Sequence, residues 1–208
     1  MSYPFSNNLM TLMNELQKFP DSNKVAISDS IGSYTYRDLD TICSKLASTL
    51  NTISNNQQNE CLVRITKSTN FILAVIAMFK IKWIPILVSS YISDSLICSL
   101  SESHNIKYII TDKVHYNLGK LHIIDFPSIL KQLDSVHQTH INDFIVPYNK
   151  QDVSYSMFTS GSTGVPKKVS VTNKMLTNTF NSLDTSEIFF ENDITSLSMS
   201  DTGFDPII

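Results

Sequence analysis

Between positions 159 and 168 the chain reads TSGSTGVPKK, and no other ten residues concentrate so many groups able to hold an anion. The whole sequence has only five glycines, and two of them, Gly161 and Gly164, fall in this stretch. Around them stand the hydroxyl residues Thr159, Ser160, Ser162 and Thr163, followed by Lys167 and Lys168. A triphosphate calls for this set: glycines let backbone N–H groups close on the oxygens, hydroxyls add donors, and a lysine adds a point charge. From composition alone, a solvated Ser/Gly turn remains equally open. A Walker loop does not fit, because Val165 and Pro166 separate Gly164 from the lysine and no Ser or Thr follows Lys167.

A loop of this kind needs a frame, and the surrounding sequence supplies the pattern of one. Apolar runs of strand length near 25–27, 61–65, 84–88, 108–110, 122–124 and 154–158 alternate with helical periodicities. The helices are expected near 9–16, 35–53, 68–81, 93–104, 128–136 and 173–183. Leu39, Ile42, Leu46, Leu50 and Ile53 should line one face of the second, which Thr35 and Asp38 open as a capping box after a turn at Gly32. Short strands are expected at 169–171 and 194–199, the first directly after the loop. Such alternation predicts an α/β fold: parallel or mixed sheets built of βαβ units, with helices packed on the sheet faces. The strand leading into the loop would then deliver it to the sheet's carboxyl edge, where α/β folds bind ligands.

Composition narrows the classes further. With 208 residues, 42% hydrophobic and 17% charged, the chain suits one folded domain. A net charge of -3 and a pI near 5.9 leave no basic footprint, so no nucleic-acid partner is expected. The most apolar stretch, 71–79, is too short to span a bilayer and reads as a buried helix, so no membrane partner is expected either. The first residues lack a secretory pattern, and Cys43, Cys61 and Cys98 lie singly in apolar surroundings with no ligand spacing. These features suit a reduced, cytoplasmic setting. The five histidines are scattered and read as surface or structural, Trp83 as a packing residue, and Lys80 and Lys82 as a solvated helix end.

The string TSGSTGVPKKV resembles the phosphate-binding signature of the adenylate-forming (AMP-binding) superfamily: acyl-CoA synthetases, luciferases and adenylation domains of nonribosomal peptide synthetases. YTYRDLD is similar to the family's early helix-opening motif, and VIAMFKIKWIPILVSSY to its helix–strand passage ending in valine–proline. Phe204-Asp205 stands where peptide synthetases carry a phenylalanine–aspartate pair. The similarity runs in order from about residue 20 to 208.

The resemblance implies the first part of the superfamily's N-terminal domain, with residues 1–208 a partial AMP-binding domain. It implies ATP and Mg2+ as cofactors, with Thr159, Ser160, Gly161, Ser162, Thr163, Gly164 and Lys167 closing over the β- and γ-phosphates. A carboxylate would attack the α-phosphorus, pyrophosphate would leave, and an acyl-adenylate would remain. Asp205 would pair with a substrate's α-ammonium group, which favours a small amino acid among carboxylic acids. A carrier protein, or a complementary C-terminal polypeptide, is the implied partner. The family's later Mg2+-binding glutamate, ribose-binding aspartate, hinge and C-terminal lid domain are absent from these 208 residues, so a truncated or split enzyme without unaided turnover is expected.

Departures from the family pattern also stand out. Lys168 replaces a glycine, Lys82-Trp83 a glycine pair, Asn173 a histidine and Ile207 a serine. Three readings remain open on sequence: a ligase fragment needing completion, a non-catalytic remnant or interaction module of the same fold, and an unrelated α/β phosphate binder.

Overall fold

The computed structural model describes residues 23–55, 57, 59–113, 117–133, 149–159 and 166–184, with side chains to residue 179. The helix expected at 9–16 and the strand at 194–199 lie outside the described residues.

Two short strands, β1 (Val25–Ser28) and β2 (Ser33–Thr35), form an antiparallel ribbon. The Asp29 N–H donates to the Gly32 carbonyl, and the Asp29 carboxylate accepts from the Ile31 and Gly32 N–H groups, closing the turn foreseen at Gly32. Helix α1 (Tyr36–Ile53) starts on the expected capping box: Thr35 Oγ1 accepts from the Asp38 N–H, and Asp38 accepts from the Thr35 N–H. Its buried face is Leu39, Cys43, Leu46, Ala47 and Leu50. Ile53, expected on that face, is 41% exposed, because the helix ends there.

The main sheet follows as β3 (Glu60–Arg64), α2 (Thr69–Lys80), β4 (Ile84–Leu87), α3 (Asp94–Ser103), β5 (Tyr108–Thr111), β6 (His122–Asp125), α4 (Phe126–Gln132), β7 (Val153–Thr159), β8 (Lys167–Thr172) and α5 (Asn173–Asp184). Strand order is β6-β5-β3-β4-β7-β8, with every pair parallel except β7–β8. This is the mixed α/β sheet the alternation predicts.

The pleat explains the continuous apolar strands. Successive side chains alternate faces, so a strand covered on both sides must be apolar throughout. Cys61, Val63, Leu87, Ile110 and Ile124 enter a core with α1 and α2, whereas Leu62, Ile86, Val88 and Ile109 enter a second core with Ile97 of α3. Helix α2 is the buried one: Phe71, Leu73, Ala74, Ala77 and Met78 are at most 1% exposed. Burial pushes the Cys43 and Cys61 thiols far above the usual thiol range, which makes them inert packing groups.

Helix ends are closed without glycine. Asn55, Lys82 and Asn105 all take positive φ, at 54°, 57° and 52°, as the residue after a helix C-cap. After α2 the Lys82 N–H donates to the Phe79 carbonyl and the Trp83 N–H to the Met78 carbonyl, a Schellman closure. The left-handed conformation suits glycine or asparagine, and lysine bears a Cβ penalty there. Lys80 and Lys82 are not the solvated helix end expected from sequence. The Lys80 side chain is only 9% exposed and its ammonium lies 2.7 Å from Asp40 of α1, while Lys82 Nζ lies 3.9 Å from Asp152.

The start of α2 depends on the β1–β2 ribbon. Ser68 makes no side-chain cap bond, and Asp29 takes that place by accepting from the Thr69 N–H at 2.6 Å. Burial opposes the Asp29 charge, but bonds from the backbones of Thr69, Gly32 and Ile31 outweigh it and hold its carboxyl below the usual range. The bonds from Thr35 do the same for Asp38.

Two predictions follow from these ends. Lys82→Gly should raise stability by about 0.5–1 kcal/mol, the left-handed penalty less glycine's extra freedom in the unfolded chain, read as a higher urea midpoint with unchanged slope. The lowered carboxyls of Asp29 and Asp38 contribute stability that is complete above their unfolded value near 3.8 and is lost as pH falls through the lower folded values. Urea midpoints should therefore fall on acidification below about pH 4, and Asp29→Asn should flatten that dependence.

Candidate functional site

β7 runs parallel to β4, with Ile86 paired to Ser156 and Leu87 to Met157. It then turns back as the antiparallel β8, giving a hairpin whose arms hold the two ends of the Ser/Gly stretch. Thr159 closes β7 and Lys167 opens β8, the two are ladder partners, and Thr159 Oγ1 lies 3.5 Å from the Lys167 carbonyl. Both residues are exposed. Among the sequence-predicted loop residues, these two are brought together. Ser160, Gly161, Ser162, Thr163 and Gly164 lie outside the described residues, as does Asp205. Lys167 and Lys168, read from sequence as loop, belong to β8.

The hairpin is held by its polar and aromatic face. Phe158 and Lys168 are opposite each other in the ladder. Phe158 packs on the second core, with its ring edge-on to His104 at a centroid distance of 5.1 Å. Lys168 Nζ donates to both oxygens of Glu60, at 2.6 and 2.8 Å, although 108 residues separate the pair in the chain. His104 ends α3 and Glu60 opens β3, so the loop end of the hairpin is held against the α3 face of the sheet. Deeper in the hairpin the Ser156 and Ser170 hydroxyls meet at 2.9 Å.

Asn173, at the position where histidine is common in the resembled family, is 1% exposed and fully engaged. The Ser154 hydroxyl donates to its Oδ1 at 2.5 Å, and its Nδ2 donates to the Asn149 carbonyl at 2.8 Å. Its own N–H donates to the Asp152 carbonyl, so one side chain and its backbone tie the start of α5 to β7 and to the turn before it.

Sequence reading missed Glu60 and the strand role of Lys168. A charge opening an otherwise apolar strand, and a second lysine in a glycine position, were the available signals. Among the described residues no group of three or more His, Cys, Asp or Glu could hold a metal ion. Nor is any described helix long and apolar enough to cross a membrane.

With the hairpin and its sheet in view, comparison with known proteins gives the class. The chain belongs to the family described as AMP-binding enzyme, which matches residues 14–206. Relatives include the NRPS-like oxidoreductase fscA of Fusarium equiseti, 27% identical over 165 residues, which span 76% of this chain and 15% of that protein. The nonribosomal peptide synthetase sidD of Aspergillus fumigatus is 26% identical over 170 residues, 80% of this chain and 8% of its own length. The chain thus spans only a small part of these relatives. Among solved structures, the N-terminal subdomain of NpsA from Klebsiella oxytoca, in complex with 3-hydroxybenzoyl-AMSN, superposes with a TM-score of 0.69 at 25% identity. That match covers 81% of this chain and 41% of the NpsA chain. The mainly parallel sheet is that of the N-terminal subdomain of adenylate-forming enzymes, and the family's reaction is acyl-adenylate formation from ATP.

Asn173→Ala should lower stability by about 1–3 kcal/mol, since it strands the buried Ser154 hydroxyl. The check is a urea titration followed by fluorescence of Trp83, the only tryptophan.

Proposed function

We propose that this chain supplies the ATP-gripping part of an enzyme that activates a carboxylic acid, preferably an amino acid, as its acyl-adenylate. The observation that carries this reading is the TSGSTGVPKK stretch in an AMP-binding family member, its Thr159 and Lys167 paired where β7 meets β8.

In this reading backbone N–H groups and hydroxyls of 159–164 hold the β- and γ-phosphates, and Lys167 adds its positive charge. The substrate carboxylate attacks the α-phosphorus, and the bond from that phosphorus to the β-bridging oxygen breaks. Negative charge gathers on the departing pyrophosphate, where preorganised donors lower the barrier. Mg2+ travels on the triphosphate and further neutralises it. No described residue is assigned to it as a ligand. Asp205 accepts a substrate ammonium group.

Residues 1–208 form part of the N-terminal AMP-binding domain in this proposal, and the lid domain comes from outside them. The relatives' names support a peptide-synthetase setting. The acceptor in this reading is a carrier protein, and a complementary C-terminal polypeptide is the other candidate partner. The setting is cytoplasmic.

Calorimetric titration with MgATP tests the reading. Saturable binding is expected, weakened by about tenfold or more in Lys167→Ala, equivalent to about 1.4 kcal/mol. Equal affinity in the folded variant, or no heat from the wild-type chain at millimolar MgATP, would overturn it.

A further inference from the structure

Lys167 and Lys168 are neighbours on a strand, so their side chains leave opposite faces of the hairpin. One of these faces is anchored. Lys168 shares it with Phe158, which packs on the second core and on the edge of the His104 ring. The Lys168 ammonium is taken up by both carboxylate oxygens of Glu60, with side chains 21% and 32% exposed. Lys167, on the other face, is exposed beside Thr159. A lysine in a glycine position of the resembled signature thus has a committed partner. Its neighbour keeps the accessible charge.

We infer that the Lys168–Glu60 ion pair is a latch that fixes the loop end of the β7–β8 hairpin, so that Lys167 alone of the two lysines is offered to a phosphate. Both latch residues are positioning residues. The inference rests on the phosphate-loop reading for its functional half, and on the hairpin contacts for its structural half.

The physical case is one of order. A hairpin that closes on a charged ligand gives up less freedom on binding when its arms are already held in register. A two-oxygen contact on a partly buried ammonium restrains position more than a single exposed pair does. Phe158 supplies apolar purchase but no fixed direction. The ion pair supplies the direction, and it couples the hairpin to β3 at the centre of the sheet. The pair also keeps a second lysine from competing for the ligand.

The test uses the full chain as wild type, Glu60→Gln, Lys168→Arg and the charge-swapped double variant Glu60→Lys/Lys168→Glu. Amide hydrogen exchange is followed at 157–159 and 167–169, with the β3–β4 ladder as internal reference, and MgATP binding is followed by calorimetry. Glu60→Gln should speed exchange at the loop end of the hairpin by about tenfold and weaken MgATP by about fivefold, without change in the β3–β4 ladder. Lys168→Arg should stay near wild type, and the charge swap should recover most of both losses. Unchanged exchange in Glu60→Gln overturns the latch. Faster exchange with unaltered affinity reduces it to a structural tie and overturns its functional half. Tighter MgATP binding in Glu60→Gln overturns the division of labour, because the freed Lys168 would then be a phosphate ligand itself. Absence of MgATP binding by the wild type overturns the phosphate-loop reading alone, and the latch is then judged on exchange and its recovery in the swap.

Discussion

Burial of β3 on both faces is the constraint on which the described fold depends. Cys61 and Val63 face one core, Leu62 faces the other, and all three are fully inaccessible. A strand with no solvent face needs helices on both sides, and parallel neighbours reached through crossover helices supply them. α2 therefore carries the chain to β4 on one face, and α3 carries it to β5 on the other. Around this centre the sheet has β5 and β6 on one flank and β4, β7 and β8 on the other. The hairpin that carries the candidate phosphate groups is a late addition to a sheet whose centre is already set.

Apolar burial holds layers together but says little about their registration. Ion pairs and caps between distant segments provide it. Asp40 and Lys80 join α1 to α2, Arg64 and Asp94 join β3 to the start of α3, and Glu60 and Lys168 join β3 to β8. Each pair is partly shielded, so desolvation offsets much of its attraction, and its net stabilisation is modest. Direction is their main contribution: each forbids sliding of one element along another. Asp29 acts the same way at the first turn of α2, where a carboxylate from the ribbon substitutes for a cap that Ser68 does not give.

Local patterns were legible in the sequence, and long-range ones were not. The capping box at Thr35, the turn at Gly32, and the alternation from β3 to β5 all depend on residues a few positions apart. Their expected bounds agree with the structure to within a residue or two. Helix α4 begins at Phe126, earlier than expected, because Pro127 is tolerated in a first turn, where its missing N–H costs nothing. Lys80 looked solvated because its partner Asp40 is a full helix and strand away. Lys167 and Lys168 looked like loop because glycine and hydroxyl residues precede them, whereas pairing with β7 depends on Phe158 and Thr159 across the turn. For the site, the sequence named the groups, and the structure adds the pairing of Thr159 with Lys167 and the partner of Lys168.

The same contrast bears on whether the departures from the family pattern amount to decay. A relaxed sequence would be expected to accumulate polar substitutions without partners, since nothing would select against buried groups left unsatisfied. Lys168 instead meets Glu60, and Asn173 satisfies both ends of its amide inside a site that is 1% exposed. Among the described residues, Lys82 is a departure that keeps a cost, a left-handed backbone on a side chain with a Cβ. Yet it still completes the closure of α2 and lies near Asp152. Two of these three lie in the hairpin or at the helix that follows it, the region where a remnant would have least reason to retain compensation. Partnered side chains at Lys168 and Asn173 are what the proposed phosphate loop requires of the hairpin that carries it.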